Sequence, residues 1–290
     1  MIVAARGLLW KAYRMPLALF RRLILPVLAG VVAVSIGFVA FSLGQNEVSK
    51  KLDLSNYELS FNEDFDKLDV SAWGPGTRWI AHTPWNGDFG AAQFADPVPG
   101  FPFVVENGIL RIEARRESNG TWRSGLLAST DPKGAGFLQQ FGYFEMRAKL
   151  PAGPGLWPAF WLIANKDKDS SAEIDILEHY GQFPGDFESV IHVWRHAPGA
   201  QNYQATLRHK IPAGLLSADF HLYGASVDAD WIVIYLDRVE IGRTPTPPEH
   251  RRPMFILLNL ALGGGWPIEQ TPNPSYMLVD SVRAYKKKSP

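Results

Sequence analysis

The 290-residue chain contains no cysteine, which rules out disulfides, thiolate catalysis and cysteine-ligated metal centres. It also lacks net charge, 29 Lys and Arg facing 29 Asp and Glu. That balance is uneven along the chain. Residues 1–52 hold seven basic side chains and one acid, Glu47, for +6, so residues 53–290 carry −6. An acidic body is a poor match for nucleic-acid phosphates, and no nucleic-acid partner is expected. Beyond residue 56 there is no convincing amphipathic helix, no internal repeat and no βαβ alternation, which argues against doubly wound nucleotide-binding folds. The one glycine run, Gly263–Gly265, has no strand–loop–helix context and reads as a turn, not a phosphate loop.

What the chain does contain begins with a long apolar run. Leu23 to Gly44 is 22 residues without a charge, enough for a helix to cross roughly 30 Å of hydrocarbon. Five basic residues precede it. The positive-inside rule therefore places residues 1–22 in the cytoplasm, 23–44 as a transmembrane signal anchor or uncleaved signal sequence, and the rest on the periplasmic or extracellular side. Cleavage and secretion is the alternative, since Ala40-Phe41-Ser42 resembles a processing site. Residues 45–56 are short and polar and are expected to be a linker.

From residue 57 to about 287 the chain reads as short stretches of alternating polarity, such as GILRIEAR, GYFEMRAKL and DWIVIYLDRVEIG, punctuated by Gly and Pro. These predict strands separated by turns. The expected fold is all-β, a jelly-roll sandwich of two antiparallel sheets behind one N-terminal transmembrane helix.

The stretch SAEIDILEHYG at 171–181 sets three acids within six residues. Alternation puts Glu173 and Asp175 on one face and Ile174 and Ile176 on the other, but it would also bury Glu178 among the isoleucines. A lone buried carboxylate is costly, so a β-bulge at Ile176-Leu177 is predicted, returning Glu178 to the face of the other two. Long side chains converging from a curved sheet can then bring the carboxyls of Glu173 and Glu178 to within about 5–6 Å, the spacing of retaining glycosidases. Carboxylates that close cannot all ionise at neutral pH, so one acts as an acid while another stays an anion.

EIDILE resembles the bulged E-x-D-x-x-E signature of glycoside hydrolase family 16, the family of laminarinases, lichenases and agarases with a concanavalin A-like jelly roll. RSGLLAS at 123–129, FGYFEMRAKLPAGPGLWPAFWLI at 141–163, IHVW at 191–194, LLNLALGGGWP at 257–267 and VDSVRAY at 279–285 extend the resemblance over residues 57–287. It implies Glu173 as nucleophile, Glu178 as general acid/base and Asp175 as the residue tuning their proton sharing. It also implies a β-linked polysaccharide as partner, by default a β-1,3- or β-1,3/1,4-glucan or a bacterial exopolysaccharide, with no required cofactor. A transglycosylase and a non-catalytic glycan-binding jelly roll are the alternatives, and a monomer is expected.

Substrate-binding candidates follow. Trp157 and Trp161 lie four apart on one strand, hence on one face, and aromatic rings suit the C–H faces of pyranoses. The resemblance adds His192 on the neighbouring strand, and Asn259 and Trp266 in the groove-lining segment. Arg78 is a candidate for a distal sugar or acidic substituent, with Trp85 and Trp194 as weaker aromatic candidates. The resemblance also implies a possible structural calcium, with Asp280 as a ligand. A metal reading of Glu173, Asp175, Glu178 and His192 is weakened for His179, which follows Glu178 directly and should face the other way.

Overall fold

The computed structural model describes residues 51–165 and 167–288. The expected cytoplasmic segment 1–22, the span 23–44 and residues 45–50 of the expected linker lie outside the described residues. Among those described, no helix is long and apolar enough to cross a membrane.

The described chain forms a jelly-roll-like sandwich of two sheets. Helical structure within it is limited to the turn Leu215–Ala218 and the 3₁₀ turn Pro248–His250. In the eight-stranded sheet the order is Tyr203–Lys210, Asp186–Arg195, Ser170–Glu178, Leu156–Ala164, Met254–Leu262, Leu126–Ala128, Trp79–Ile80, Val70–Ser71. The ten-stranded sheet is centred on Gly142–Lys149, Ser275–Lys287 and Ile109–Arg116. The expectation of purely antiparallel sheets needs correcting at two places, because Val70–Ser71 runs parallel to Trp79–Ile80 and Ala92–Phe94 parallel to Trp122–Ser124. Both are pairs of two or three residues, formed where connecting loops fold back along a sheet edge.

Met254–Leu262, MFILLNLAL, is buried at every position. Its period of two divides it between two layers. Met254, Ile256, Leu258, Leu260 and Leu262 enter the core between the sheets, whereas Phe255, Leu257 and Ala261 join a second apolar layer on the opposite face. Leu156–Ala164 divides likewise, with Leu156, Phe160, Leu162 and Ala164 inward and Trp157, Ala159, Trp161 and Ile163 outward. Truncating an interior member such as Phe160 to Ala would cost about 3–5 kcal/mol.

The second layer is closed by the segment 81–94. Phe89 meets Trp157 and Trp161 edge-on at 5.6 and 5.8 Å between ring centroids, and Ala91 N–H donates to the Leu262 carbonyl at 2.8 Å. Gly90 makes this approach possible. Its φ is +72°, and a Cβ there would sit 2.3 Å from the Leu262 oxygen, so any side chain would push the segment off the sheet.

Residues 51–56 are not a free linker. Leu52 and Leu54 pack against Tyr143, Val233 and Tyr235 on the outer face of the ten-stranded sheet, and Leu52 N–H donates to Arg238 O at 2.8 Å. Two apolar residues in a polar stretch suffice to dock it because the sheet leaves those three side chains to be covered.

Candidate active site

The acidic strand Ser170–Glu178 lies between Leu156–Ala164 and Asp186–Arg195. Ladder pairing on one side passes from Trp161 opposite Asp175 to Phe160 opposite Leu177, leaving Ile176 as the extra residue. On the other side it jumps from Asp175–Val190 to Glu178–Glu188, three residues against two. Ile176 and Leu177 are consecutive yet both fully buried in the main core. This is the bulge expected from the sequence, and it moves Glu178 from the core face to the face of Glu173 and Asp175.

The three acids sit at the floor of a cleft of about 300 Å³ walled by Trp157, Trp161, Asn259, Trp85 and Phe89. Asp175 is 4% and Glu178 9% exposed. Among the described residues no Lys or Arg pairs with any of the three; His192 approaches them, its Nε2 3.5 Å from Asp175 Oδ2. Burial without a cation disfavours the charged form. It pushes Glu173 up to about 8, against a hydrogen bond from Asp175 that favours the Glu173 anion, with the Glu178 charge adding to the rise. Burial lifts Asp175 well above the usual carboxylate range, and Glu173 and Glu178 add to it. The cluster therefore holds protons at neutral pH, with Asp175 the donor toward Glu173.

Glu178 has different surroundings. Burial raises it, while Trp157 Nε1–H donates to its Oε1 at 3.0 Å and Tyr180 O–H to the same oxygen at 3.3 Å, both favouring the anion. Tyr180 also stacks on Trp157, centroids 5.8 Å apart at 19°. The Gly263–Gly265 turn presses on both rings: a Cβ on Gly264, whose φ is +58°, would fall 2.6 Å from Tyr180 and 2.9 Å from Trp157. The turn expected from the sequence thus holds the partners of Glu178 in place.

Trp161 Nε1–H donates to Asn259 Oδ1 at 2.8 Å. Asn259 is fully buried, and its Nδ2 has no protein partner although it lines the cleft. An unmatched buried donor of this kind is costly unless a ligand supplies the acceptor.

His192 is the cross-strand partner of Glu173 and stacks on Trp194, centroids 4.8 Å apart at 11°. Burial lowers its pKa, so it faces Asp175 as a neutral ring. Trp266 is 45% exposed and meets Phe183 edge-on at 4.9 Å, beside the cleft and outside its immediate lining. Arg78 is not brought to the cleft. Its Nε pairs with Glu63 Oε2 at 2.9 Å and its guanidinium lies over Phe61, because Glu63, buried and bonded to Trp79 Nε1–H, needs a cation.

Asp280 is on the ten-stranded sheet and pairs with Arg147 Nη1 at 3.2 Å. Among the described residues Asp280 belongs to no cluster of three or more metal-ligating side chains. Glu173, Asp175 and His192 do offer one ligand atom each within 4.8 Å of one another, but the hydrogen bond between the two acids already accounts for their approach. His179 turns away from the cleft, its Nδ1–H donating to Asp186 O at 3.0 Å.

Sequence reasoning passed over Tyr180, Phe89 and His250. Tyr180 had a local signal, since it stands two residues after Glu178 and so shares its face. His250, whose Nε2–H donates to the Glu173 backbone carbonyl at 3.0 Å, and Phe89 arrive from distant segments and had none.

The family model for glycosyl hydrolases family 16 matches residues 103–280. Endo-1,3-1,4-beta-glycanase EglC of Rhizobium meliloti (strain 1021) is 32% identical over 268 residues, covering 85% of this chain and 55% of its own length; ExsH of the same organism is 31% identical with the same coverages. The chain thus spans about half the length of these curated relatives. The laminarinase catalytic domain from Thermotoga maritima MSB8 superposes with a TM-score of 0.64 at 26% identity, covering 81% of this chain and 100% of that one. SCLam, a non-specific endo-beta-1,3(4)-glucanase, gives 0.67 at 28% identity, with coverages of 82% and 95%. With its bulged acidic strand, its aromatic cleft and a family match across more than half of its length, this chain belongs to glycosyl hydrolase family 16.

Proposed function

We propose that this protein is an endo-acting glycanase that cleaves β-1,3- or β-1,3/1,4-linked glucan by double displacement with retention. The observation that carries this reading is the bulge: it sets Glu178 beside Glu173 on a cation-free floor where the acids must share protons. A lectin has no use for that arrangement. The printed names of the relatives, endo-glycanases and laminarinases, support the substrate class.

In the first step Glu173 attacks the anomeric carbon while Glu178 gives its proton to the departing glycosidic oxygen, leaving a glycosyl ester on Glu173. In the second, Glu178 takes a proton from water as the water oxygen displaces Glu173, restoring both carboxyls. Asp175 donates to Glu173, and this hydrogen bond opposes the rise that burial imposes, favouring the anion needed for attack. Trp157 and Tyr180 aim Glu178. Trp161 and Trp157 present ring faces to the sugars, and Asn259 Nδ2–H meets a sugar hydroxyl.

Incubation of the full-length chain, with Glu173→Gln and Glu178→Gln beside it, on linear β-1,3- and β-1,3/1,4-glucans tests the reading. Internal oligosaccharides of retained anomeric configuration are expected from the native protein and not from either variant. Binding without products would leave the glycan-binding alternative; products longer than the substrate would assign transfer instead of hydrolysis. For residues 23–44 we infer an anchor that holds the domain outside the cytoplasmic membrane, on the strength of the charge asymmetry. Recovery of the uncleaved chain in washed membranes tests it, and a soluble processed form would overturn it.

A further inference from the structure

A second cavity, of about 330 Å³, adjoins the cleft and shares one wall with it, the exposed indole of Trp85. It opens on the same sheet face. Ile163 lines it where Trp161, two residues earlier, lines the cleft, and Ser171 lines it where Glu173, two residues later, lines the cleft. Two residues along a strand is about 6.6 Å, so the cavity is offset sideways from the nucleophile by roughly the width of one sugar ring.

The direction of that offset is informative, on the functional reading above. A nucleophile and an acid must flank the scissile bond from opposite sides. Glu173 and Glu178 are separated along the strand, so the polymer crosses the strands between them. A cavity displaced along the strand from Glu173, away from Glu178, is therefore lateral to the polymer and cannot be the next backbone subsite.

Its chemistry selects the occupant. Trp85, Ile163 and Phe255 provide an apolar side, matched to the C–H face of a sugar. The polar side is rich in acceptors: Asp131, Asp167 and Ser171. Ser171 is committed as one. His196 Nδ1 sits 3.0 Å from the Lys168 carbonyl and so carries hydrogen, and in the neutral ring Nε2 then accepts from Ser171 Oγ–H at 3.1 Å, leaving the Ser171 lone pairs for a ligand hydroxyl. Asp131 spends Oδ1 on the amides of Lys133 and Ala135, and Asp167 is approached by Arg252 at 3.5 Å. No Lys or Arg is among the described residues lining the cavity. With Arg252 paired to Asp167, the carboxylate of Asp131 leaves the wall net negative, which repels an anionic substituent, and the carboxylate oxygens accept from hydroxyls. We propose that this cavity is a lateral subsite for a neutral sugar branch on the glucan backbone, and that it disfavours acidic substituents in that position.

The test uses the full-length chain and two matched oligosaccharides, a linear β-1,3-gluco-oligosaccharide and the same backbone bearing one glucosyl branch. Binding is measured by calorimetry on Glu173→Gln, and cleavage on the protein with native acids. Each is repeated with Ser171→Phe, which fills the cavity, and Ser171→Ala, which leaves it open. The branch is expected to tighten binding about tenfold; Ser171→Phe should abolish that gain and cut kcat/KM on the branched chain at least tenfold while the linear chain is cleaved as before. Ser171→Ala should retain most of the gain, and a carboxylated branch should gain nothing. The proposal is overturned if the branch brings no gain in binding, if neither oligosaccharide binds, or if Ser171→Phe weakens both substrates equally. Tighter binding of the branched chain with no cleavage of either would sustain the subsite and defeat the hydrolase reading.

Discussion

One buried carboxylate on the ten-stranded sheet and a cluster of three on the other, with Asp175 and Glu178 buried and Glu173 half-buried, are treated in opposite ways. Glu145, 1% exposed on the ten-stranded sheet, receives both prongs of Arg238, at 2.9 and 2.7 Å, and the Tyr285 hydroxyl at 3.1 Å. Glu173, Asp175 and Glu178 on the eight-stranded sheet receive no guanidinium or ammonium, and their pKa values rise. The first is neutralised by a partner and serves the fold. The second can relieve its charge only by holding protons, which is the property that acid and nucleophile chemistry requires. Burial is common to both; the presence or absence of the cation separates them.

The strongest way to break this comparison is to neutralise one acid of the cluster and, separately, to remove the cation that pairs Glu145. Glu173→Gln should lower kcat on β-glucan by about 10⁴-fold or more, as loss of a nucleophile does, without lowering the melting temperature. Arg238→Ala should do the reverse, costing about 3–5 kcal/mol in denaturant unfolding by stranding Glu145, with kcat per folded molecule unchanged. Unfolding of Glu173→Gln by less denaturant than the native protein would overturn the claim that the cluster is unpaired.

A finer separation comes from pH. Because Glu173 is raised above its unfolded value, to about 8, the folded state binds the extra proton. The stability this contributes is complete below about pH 4.5 and is lost as pH rises toward 8. The melting-temperature advantage of Glu173→Gln over the native chain should therefore be larger at pH 8 than at pH 5. An equal advantage at both would show that Glu173 titrates as an ordinary surface acid.

The smallest effects should come from the groups that aim Glu178. Trp157→Phe removes a hydrogen bond that favours the Glu178 anion, so the pKa of Glu178 rises and the alkaline limb of kcat/KM moves upward. Tyr180→Phe should do the same to a lesser extent, its bond being longer. Activity at the pH optimum should fall about tenfold for the first and a few-fold for the second, in line with loss of one charge-assisted bond. A limb moving downward would reverse the assignment.

Much of the site was legible because its grammar is local. The alternation of EIDILE, interrupted by two apolar neighbours, was enough to demand a bulge, since an unbulged strand would have buried Glu178 alone. The same period placed Trp157 with Trp161 and, though it was overlooked, Tyr180 with Glu178. Arg78 was misread for a nonlocal reason. Trp85, seven residues on, begins a cleft wall, but Glu63, fifteen residues earlier, is buried beside Arg78 and claims the guanidinium. Asp280 was likewise claimed by Arg147 from the adjacent strand. The docking of residues 51–56 depended on which side chains the finished sheet left uncovered.

The sequence by itself determined which side chains share a strand face, because a period of two and the cost of a lone buried charge act over a few residues. Only the tertiary structure decided which loop closes the cleft, that Asn259 is left with an unmatched donor, that His250 buttresses Glu173, and that Trp85 stands between two cavities. Those outcomes depend on contacts between segments up to 172 residues apart, as for Gly90 beneath Leu262, and no local pattern encodes which distant partner will meet a given residue.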